Sequence, residues 1–348
     1  MITSRQWLVA RDYDPGAAED MFRKSMEWRR RHRVNDTRDW AAPEVIRRFF
    51  PHGSCGVDRG GHRVYIFNMG GLDMRGLMQC ASRVDLVQFG LQVLETFKAD
   101  CAEQSCRLGR FVGRSGVIVD LQGLQLNQIT NRPGLDVILQ WIQTMEANYP
   151  DTLQWCYVIN APTIFSIAWA LISPLLHEVT RSKVRLFGTA GWQDELLKLM
   201  EPDQLPVFWG GSLVDADGDA RCPSRICFAV SVPRELLTTR EQLVALEKQL
   251  PHHVQVKAGS RARHPVQVEA SGCRLRYIFI TRDVDIDYSV QRCGDGADET
   301  LRPTQKAFSH LHPEQGSLVC SHPGTYYLEF DNTMSYFKKK DIFLRVTI

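Results

Sequence analysis

The sequence predicts two folds in series, an α/β region up to about residue 210 and an all-β sandwich from about residue 252. Three observations carry this. From residue 62 onward short apolar runs alternate with helix-length patterns, as a parallel or mixed sheet with right-handed crossovers requires. Beyond residue 252 the hydrophobic period becomes two, the mark of half-buried strands. Between them, "IFSIAWALISPLL" at 164–176 runs thirteen residues without a charge in a chain that is 24% charged. A bilayer span needs about 20 apolar residues, so this run reads as a buried or interfacial helix rather than a crossing one.

Length and charge fit that division. The 348 residues suit two domains at the usual ~100–200 residues each. Lys plus Arg (42) and Asp plus Glu (40) nearly cancel to +2, which excludes a global field for nucleic acid. The start, "MITSRQWLVARDYD", places charge where a signal peptide needs its apolar region, and the default compartment is the cytosol. Ten cysteines, close together only at Cys101/Cys106 and Cys222/Cys227, form neither a metal spacing nor a disulfide framework and are read as reduced thiols.

Taken in order, the elements begin with a helix after Asp14 as N-cap and Pro15 at the first helical position, with Ala18, Met21, Phe22, Ser25 and Met26 in one stripe. It closes on "RRRHR" (29–33), which reads equally as a contact for anionic lipid head groups and as a solvated helix end suited to the C-terminal dipole. "HRVYIFNMG" is the first strand of the α/β region and "SRVDLVQFGLQVLETFKADCAEQ" a long helix. "GVIVDL" (116–121) is the second strand. "GLDVILQWIQTMEANYP" then sets Val137, Ile138, Trp141, Ile142 and Met145 at helical spacing. "WCYVIN", the uncharged helix, "VRLFGT" and "WQDELLKLM" complete the region. "PRELLTTREQLVALEKQLP" (233–251) reads as a helical connector. Six strands follow: "VQVKA", "VQVEA", "CRLRYIFIT", "VDIDYSVQR", "TYYLEFDN" and "DIFLRVTI". In the fourth, Val284, Ile286, Tyr288 and Val290 share one face.

Chemical motifs are sparse. Neither GxGxxG nor GxxxxGK[ST] occurs, "GRSG" at 113–116 lacks the nucleophile-elbow spacing, and "DADGD" at 215–219 would need a carboxylate where Ile226 stands. His252/His253 and His310/His312 lack a cysteine or acid at ligand spacing, so no metal and no cofactor is assigned. "KKK" at 338–340 reads as a solvated turn between strands.

The ordered stretches "WLVARDYDPGAAEDMFRKSMEWR", "RVDLVQFGLQVLE", "VIVDLQGL", "NYPDTL", "VINAPTIF", "LISPLL", "LPVFWGGSLVDADGDARC", "GCRLRYIF" and "GTYYLEFDNTMS" resemble the CRAL-TRIO lipid-transfer family, in its animal branch with a C-terminal GOLD domain. The resemblance implies a short N-terminal helical piece (1–40), a lipid-binding α/β domain with an apolar cavity (41–215) and a jelly-roll-like GOLD sandwich (222–348). Phe208 and Trp209 stand where the family usually has an acid and Tyr or Phe. The sequence begins almost directly at "WLVAR", without the helical segment that precedes this motif in the family, and Trp7 and Leu8 are expected to be less covered for it.

By the same resemblance, residues 164–176 form the movable gate of the cavity, with Leu126, Ile159, Phe165, Ala168, Trp169, Ile172 and Leu176 as cavity and gate residues. Periodicity alone reads the segment as an ordinary buried helix. Full burial of its large side chains contributes ~1.5–3 kcal/mol each, so a gate open to water costs on the order of 10 kcal/mol and opens against a membrane instead. Members that bind phosphoinositide place Arg11, Asp151 and Lys183 as a cation pair for phosphate and an acceptor for hydroxyls; the competing reading is ion pairs that tie helix ends together.

The function implied is a cytosolic protein that carries one hydrophobic ligand (phospholipid, tocopherol, squalene or retinoid-like), touches intracellular membranes transiently, and takes a protein partner through the β domain. The alternative is a non-transferring, lipid-sensing adaptor acting through the GOLD domain. No nucleophile, base and orienting group can be assembled from the motifs, so an enzyme is not expected and no catalytic residue is assigned.

Overall fold

The computed structural model describes residues 3–294 and 298–348; the first two residues of the expected N-terminal piece lie outside them. The chain divides into two compact units, one of 1–28, 35–77 and 87–232, the other of 29–34, 78–86 and 233–348. Packing thus assigns 222–232, expected at the head of the second domain, to the first: Ile226 lies buried in its core, with Phe228 against it.

In the first unit, helices α1 (Ser4–Val9) and α2 (Pro15–Arg31) lead into α3 (Glu44–Phe49). Asp14 caps α2 as expected, its Oδ1 accepting from the Ala17 N–H at 3.0 Å. Trp7 is buried, in edge contact with Phe22 at 5.4 Å and clustered with Ala18 and Met21, so the exposure expected for it does not arise. Phe22 spends its ring on that cover and stays 43% exposed, which removes it and Met26 from the buried stripe.

The sheet is β1 (His52–Val57), β2 (Arg63–Asn68), β3 (Ser115–Asp120), β4 (Leu153–Ile159) and β5 (Val184–Leu186) in spatial order. It is mixed: β1 pairs antiparallel to β2, and β2 to β5 run parallel. β1, "HGSCGV", went unseen in the sequence because two glycines and a register shift erase its alternation. Between the strands lie α4 (Met74–Met78), α5 (Arg83–Leu108), α6 (Leu126–Ile129), α7 (Arg132–Asn148), α8 (Phe165–Ile172), α9 (Glu178–Ser182) and α10 (Trp192–Leu199). The uncharged run is therefore not one helix. α8 stops at Ile172 and a 3-10 turn, Ser173–Leu175, carries Pro174, which cannot supply an internal helical N–H.

Along β2, β3 and the body of β4 alternate side chains turn to opposite faces. Val64, Ile66, Ile118, Trp155, Tyr157 and Ile159 meet Trp192, Leu196, Met200, Leu205, Trp209 and Ile226 in a closed core. Two carboxylates anchor it: Asp120 accepts from Trp209 Nε1 at 2.9 Å, and Asp58 from Trp155 Nε1 at 2.9 Å. Trp209 at an atypical position is thus a core residue, fully buried.

The second unit holds α11 (Arg240–Glu247) and two four-stranded antiparallel sheets among its described residues. The connector expected to be helical throughout 233–251 breaks at Thr239, whose side chain caps α11 by accepting from Gln242 N–H at 3.2 Å. The strands are β6 (His252–Val256), β7 (Arg261–Val268), β8 (Arg274–Thr281), β9 (Ile286–Arg292), β10 (Glu299–Ala307), β11 (Glu314–Val319), β12 (Gly324–Asp331) and β13 (Lys340–Thr347). Their orders are β10-β9-β12-β7 and β11-β8-β13-β6. Ile286, Tyr288 and Val290 face inward as their period demands, against Phe279, Phe330, Ile342 and Leu344. β10 and β11 were not expected. Both are edge strands, and Pro303 in β10, which cannot donate to a ladder, sits at a register shift between Arg302 and Gln305.

Candidate functional site

On the other face of the five-stranded sheet the same alternation points Val117 and Val119 of β3, Cys156 and Val158 of β4 and Val184 of β5 away from the closed core. Opposite them stand α5 (Phe89, Gly90, Val93, Leu94, Phe97), α7 (Leu135, Ile138, Trp141, Ile142, Met145) and α8. These walls enclose a cavity of about 350 Å³. It falls within the ~300–1,000 Å³ typical of ligand sites.

The lining is apolar in effect as well as in composition. Gln128, a polar member, turns its amide to the backbone: Nε2 donates to Gly70 O at 3.1 Å and Leu72 O at 2.9 Å, and Oε1 accepts from Gln125 N–H at 2.6 Å. The Cys156 thiol is pushed up to about 12 by burial, so it stays neutral. An apolar ligand seated here would restore contacts that an unfilled cavity forgoes. Gly90, in the middle of α5, lets the Trp141 indole lie directly against the helix: a Cβ there would stand 2.2 Å from Trp141 Nε1.

α8 roofs the cavity with one stripe. Phe165, Ala168, Trp169 and Ile172, spaced by three and four, and Leu176 beyond the 3-10 turn all line it. On the outer stripe Ile167 is 50% and Leu171 46% exposed. The segment is apolar on all sides because one side meets the cavity and the other the surroundings.

Two residues expected with these lie elsewhere. Ile159 is fully buried in the closed core, because alternation along β4 sends Val158 into the cavity and its neighbour to the opposite face. Leu126 is 52% exposed at the start of α6; Gln128 and Ile129 of that single turn face the cavity in its place.

Asp151 and Lys183 do come together: Lys183 Nζ donates to Asp151 Oδ1 at 2.6 Å and to Leu153 O at 2.7 Å. Their third partner, missed in the sequence, is Arg114, whose Nε donates to Asp151 Oδ2 at 3.1 Å and whose Nη2 makes a shorter bond to the same oxygen. Desolvation lowers the Lys183 pKa, opposed by Asp151. Arg11 and Asp151 line one cleft, but of only about 20 Å³, room for a water molecule and not for an inositol ring. Arg11 donates Nη1 to Ala10 O at 2.6 Å. The carboxylate, just ahead of β4, is paired by protein cations just ahead of β3 and β5, the geometry of a structural tie.

Comparison with known proteins gives these features relatives. Residues 50–211 match the CRAL/TRIO domain. Over 382 aligned residues the chain is 30% identical to CRAL-TRIO domain-containing protein T23G5.2 of Caenorhabditis elegans, covering 93% of this chain and 52% of that protein. Over 353 residues it is 34% identical to protein real-time of Drosophila melanogaster, covering 92% and 53%. The chain thus spans about half the length of these curated relatives. A crystal structure of Sfh5 superposes with a TM-score of 0.51 at 16% identity over 71% of this chain and 79% of that one, a likeness of fold. Among the described residues no helix is long and apolar enough to cross a membrane.

Proposed function

The chain carries a CRAL/TRIO domain, of a family whose members bind and transfer lipids, and from that premise we propose that it is a lipid carrier. It takes one hydrophobic molecule, of the phospholipid, tocopherol, squalene or retinoid-like class, beneath α8 and exchanges it at a membrane. It works from the cytosol with transient peripheral association and performs no chemistry on the cargo. The observation that carries this reading is the two-sided apolarity of α8, with Phe165, Ala168 and Trp169 toward the cavity and Ile167 and Leu171 outward.

Displacing the roof into water would expose its cavity-facing stripe at about 1.5–3 kcal/mol for each large side chain, while the outer stripe is half exposed already. Against a bilayer interface that cost falls away, and the cargo avoids the ~0.8 kcal/mol per CH₂ of crossing water. The trigger for opening is then the membrane itself. At Arg11, Asp151 and Lys183 the crowding of Asp151 by Arg114 favours the tie over a phosphoinositide headgroup site. The β-sandwich, read as a GOLD domain, serves recruitment.

Ala168→Asp places a carboxylate in the apolar cavity, where an unpaired charge is strongly disfavoured. Lipid exchange between donor and acceptor vesicles should fall at least tenfold, and lipid found by mass spectrometry in wild-type protein purified from a eukaryotic host should be lost. A wild-type chain that purifies without lipid and exchanges none, while its β domain still captures protein partners, would make it an adaptor.

A further inference from the structure

The loop between β12 and β13 presents apolar side chains to solvent at a density found at no other turn among the described residues. Met334 is 80%, Tyr336 83% and Phe337 96% exposed. Apolar residues scattered singly on a surface need no explanation, but three in four positions do. The loop is well built. Asn332, 2% exposed, donates Nδ2 to the carbonyls of Val256 (3.3 Å), Lys257 (3.2 Å) and Lys338 (2.9 Å), pinning both ends. Ser335 Oγ donates to Lys338 O at 3.1 Å, and Asp331 Oδ1 accepts from Thr333 N–H at 2.8 Å. The polar groups hold the turn together and the apolar ones are held out.

Charge selects the occupant. Lys338 and Lys339, both exposed, directly follow Phe337, and exposed Lys257 stands on the β6–β7 turn that Asn332 grips. The flanking acids are engaged: Asp331 with Arg261 at 2.7 Å, and Asp341 with His253 at 2.9 Å. An apolar tip with a collar of lysines fits a bilayer interface, where aromatic rings settle at headgroup depth and ammonium groups meet anionic lipid. A protein groove would take the rings, but lysine is depleted at the cores of such interfaces.

We propose that residues 332–339 are an interfacial anchor by which the β-sandwich docks on an anionic bilayer, with Met334, Tyr336 and Phe337 entering the headgroup layer and Lys338, Lys339 and Lys257 facing lipid phosphates. This recruitment is independent of the lipid carried beneath α8.

Flotation of the full chain with vesicles of phosphatidylcholine, with and without phosphatidylserine, tests it. Binding should require phosphatidylserine and weaken with salt. Lys338→Ala with Lys339→Ala should weaken it on the order of 25-fold, about fivefold for each lysine. Tyr336→Ser with Phe337→Ser should weaken it on the order of tenfold or more, while Phe337→Trp keeps it. Thermal unfolding should match wild type throughout, since these side chains are exposed. The Ala168→Asp chain should still float, which separates failure of the carrier reading from failure of this one. Wild-type affinity in both double variants overturns the anchor. So does a chain that ignores anionic vesicles and uses the loop for a protein.

Discussion

On one face of the five-stranded sheet Ile118, Trp155, Tyr157 and Ile159 are closed over by Trp192, Leu196 and Trp209, none more than 7% exposed. On the other, Val117, Val119, Cys156 and Val158 look into a cavity of about 350 Å³. The same strands, with the same apolar alternation, build both. What differs is the opposing layer: the indoles of Trp209 and Trp192 tied by hydrogen bonds to Asp120 and Asn160 on the closed face, a roof helix apolar on both sides on the hollow one. Burial by itself therefore does not distinguish a core from a binding site. The second unit follows the closed face, with Phe279 in edge contact with Tyr288 at 4.9 Å and with Phe330 at 5.2 Å.

The largest effect should come from the closed face. Trp209 stacks on Phe228 with centroids 5.5 Å apart and satisfies Asp120. Trp209→Ala should cost about 3–5 kcal/mol for the cavity, with ~1–3 kcal/mol more for Asp120 Oδ2, which loses its donor while Oδ1 keeps Gln122 N–H and Asn160 Nδ2. Denaturant titration reads the sum. A loss below about 1 kcal/mol would mean that this face is no more closed than the other.

Next comes a polar fault in the closed sandwich. Glu314 is 1% exposed, accepts from Tyr288 O–H at 2.9 Å, and is pushed up from 4.5 to about 8 chiefly by burial. Asp85 raises it further, while Tyr288, Arg302 and Arg83 pull it down. The folded state holds this proton more tightly than the unfolded one. Its contribution is complete below pH 4.5 and is lost as pH climbs to about 8. Glu314→Gln should keep the shape without the proton. Compared with wild type, it should remove a decline of a few kcal/mol across that window in unfolding of the second unit. Identical pH slopes would show the carboxylate reaching water.

How far the sequence exposed this comparison follows from period and length. α7 was legible because Ile138, Trp141, Ile142 and Met145 recur at helical spacing, and β9 because Ile286, Tyr288 and Val290 alternate with polar residues. The roof stripe was legible for the same reason, once resemblance supplied a cavity for it to face. Ile159 was misplaced because a parallel strand is apolar on both sides, and nothing along the chain says which side is hollow. Leu126 was misplaced because one helical turn has no period. Val117, Val119 and Gly90 gave no signal, since their role depends on what does not fill the space opposite. Arg114, 37 residues from Asp151, was invisible as a partner until the sheet brought the starts of β3 and β4 together.

The smallest stability effect is the sharpest test, because it uses neighbouring residues of one strand. Ile159→Phe forces extra volume into the closed core and should cost about 1–3 kcal/mol through displaced rotamers. Val158→Phe adds a ring on the lining of the cavity, where there is room, and should change unfolding free energy by less than about 1 kcal/mol. The consequences for cargo should be reversed. The ring added by Val158→Phe takes up space that an alkyl or isoprenoid chain would use, so the lipid recovered per protein by mass spectrometry should drop severalfold, whereas Ile159→Phe should leave it near wild type in whatever fraction folds. If Val158→Phe destabilises as much as its neighbour while lipid content is unchanged, then the two faces are filled alike and α8 roofs an ordinary core.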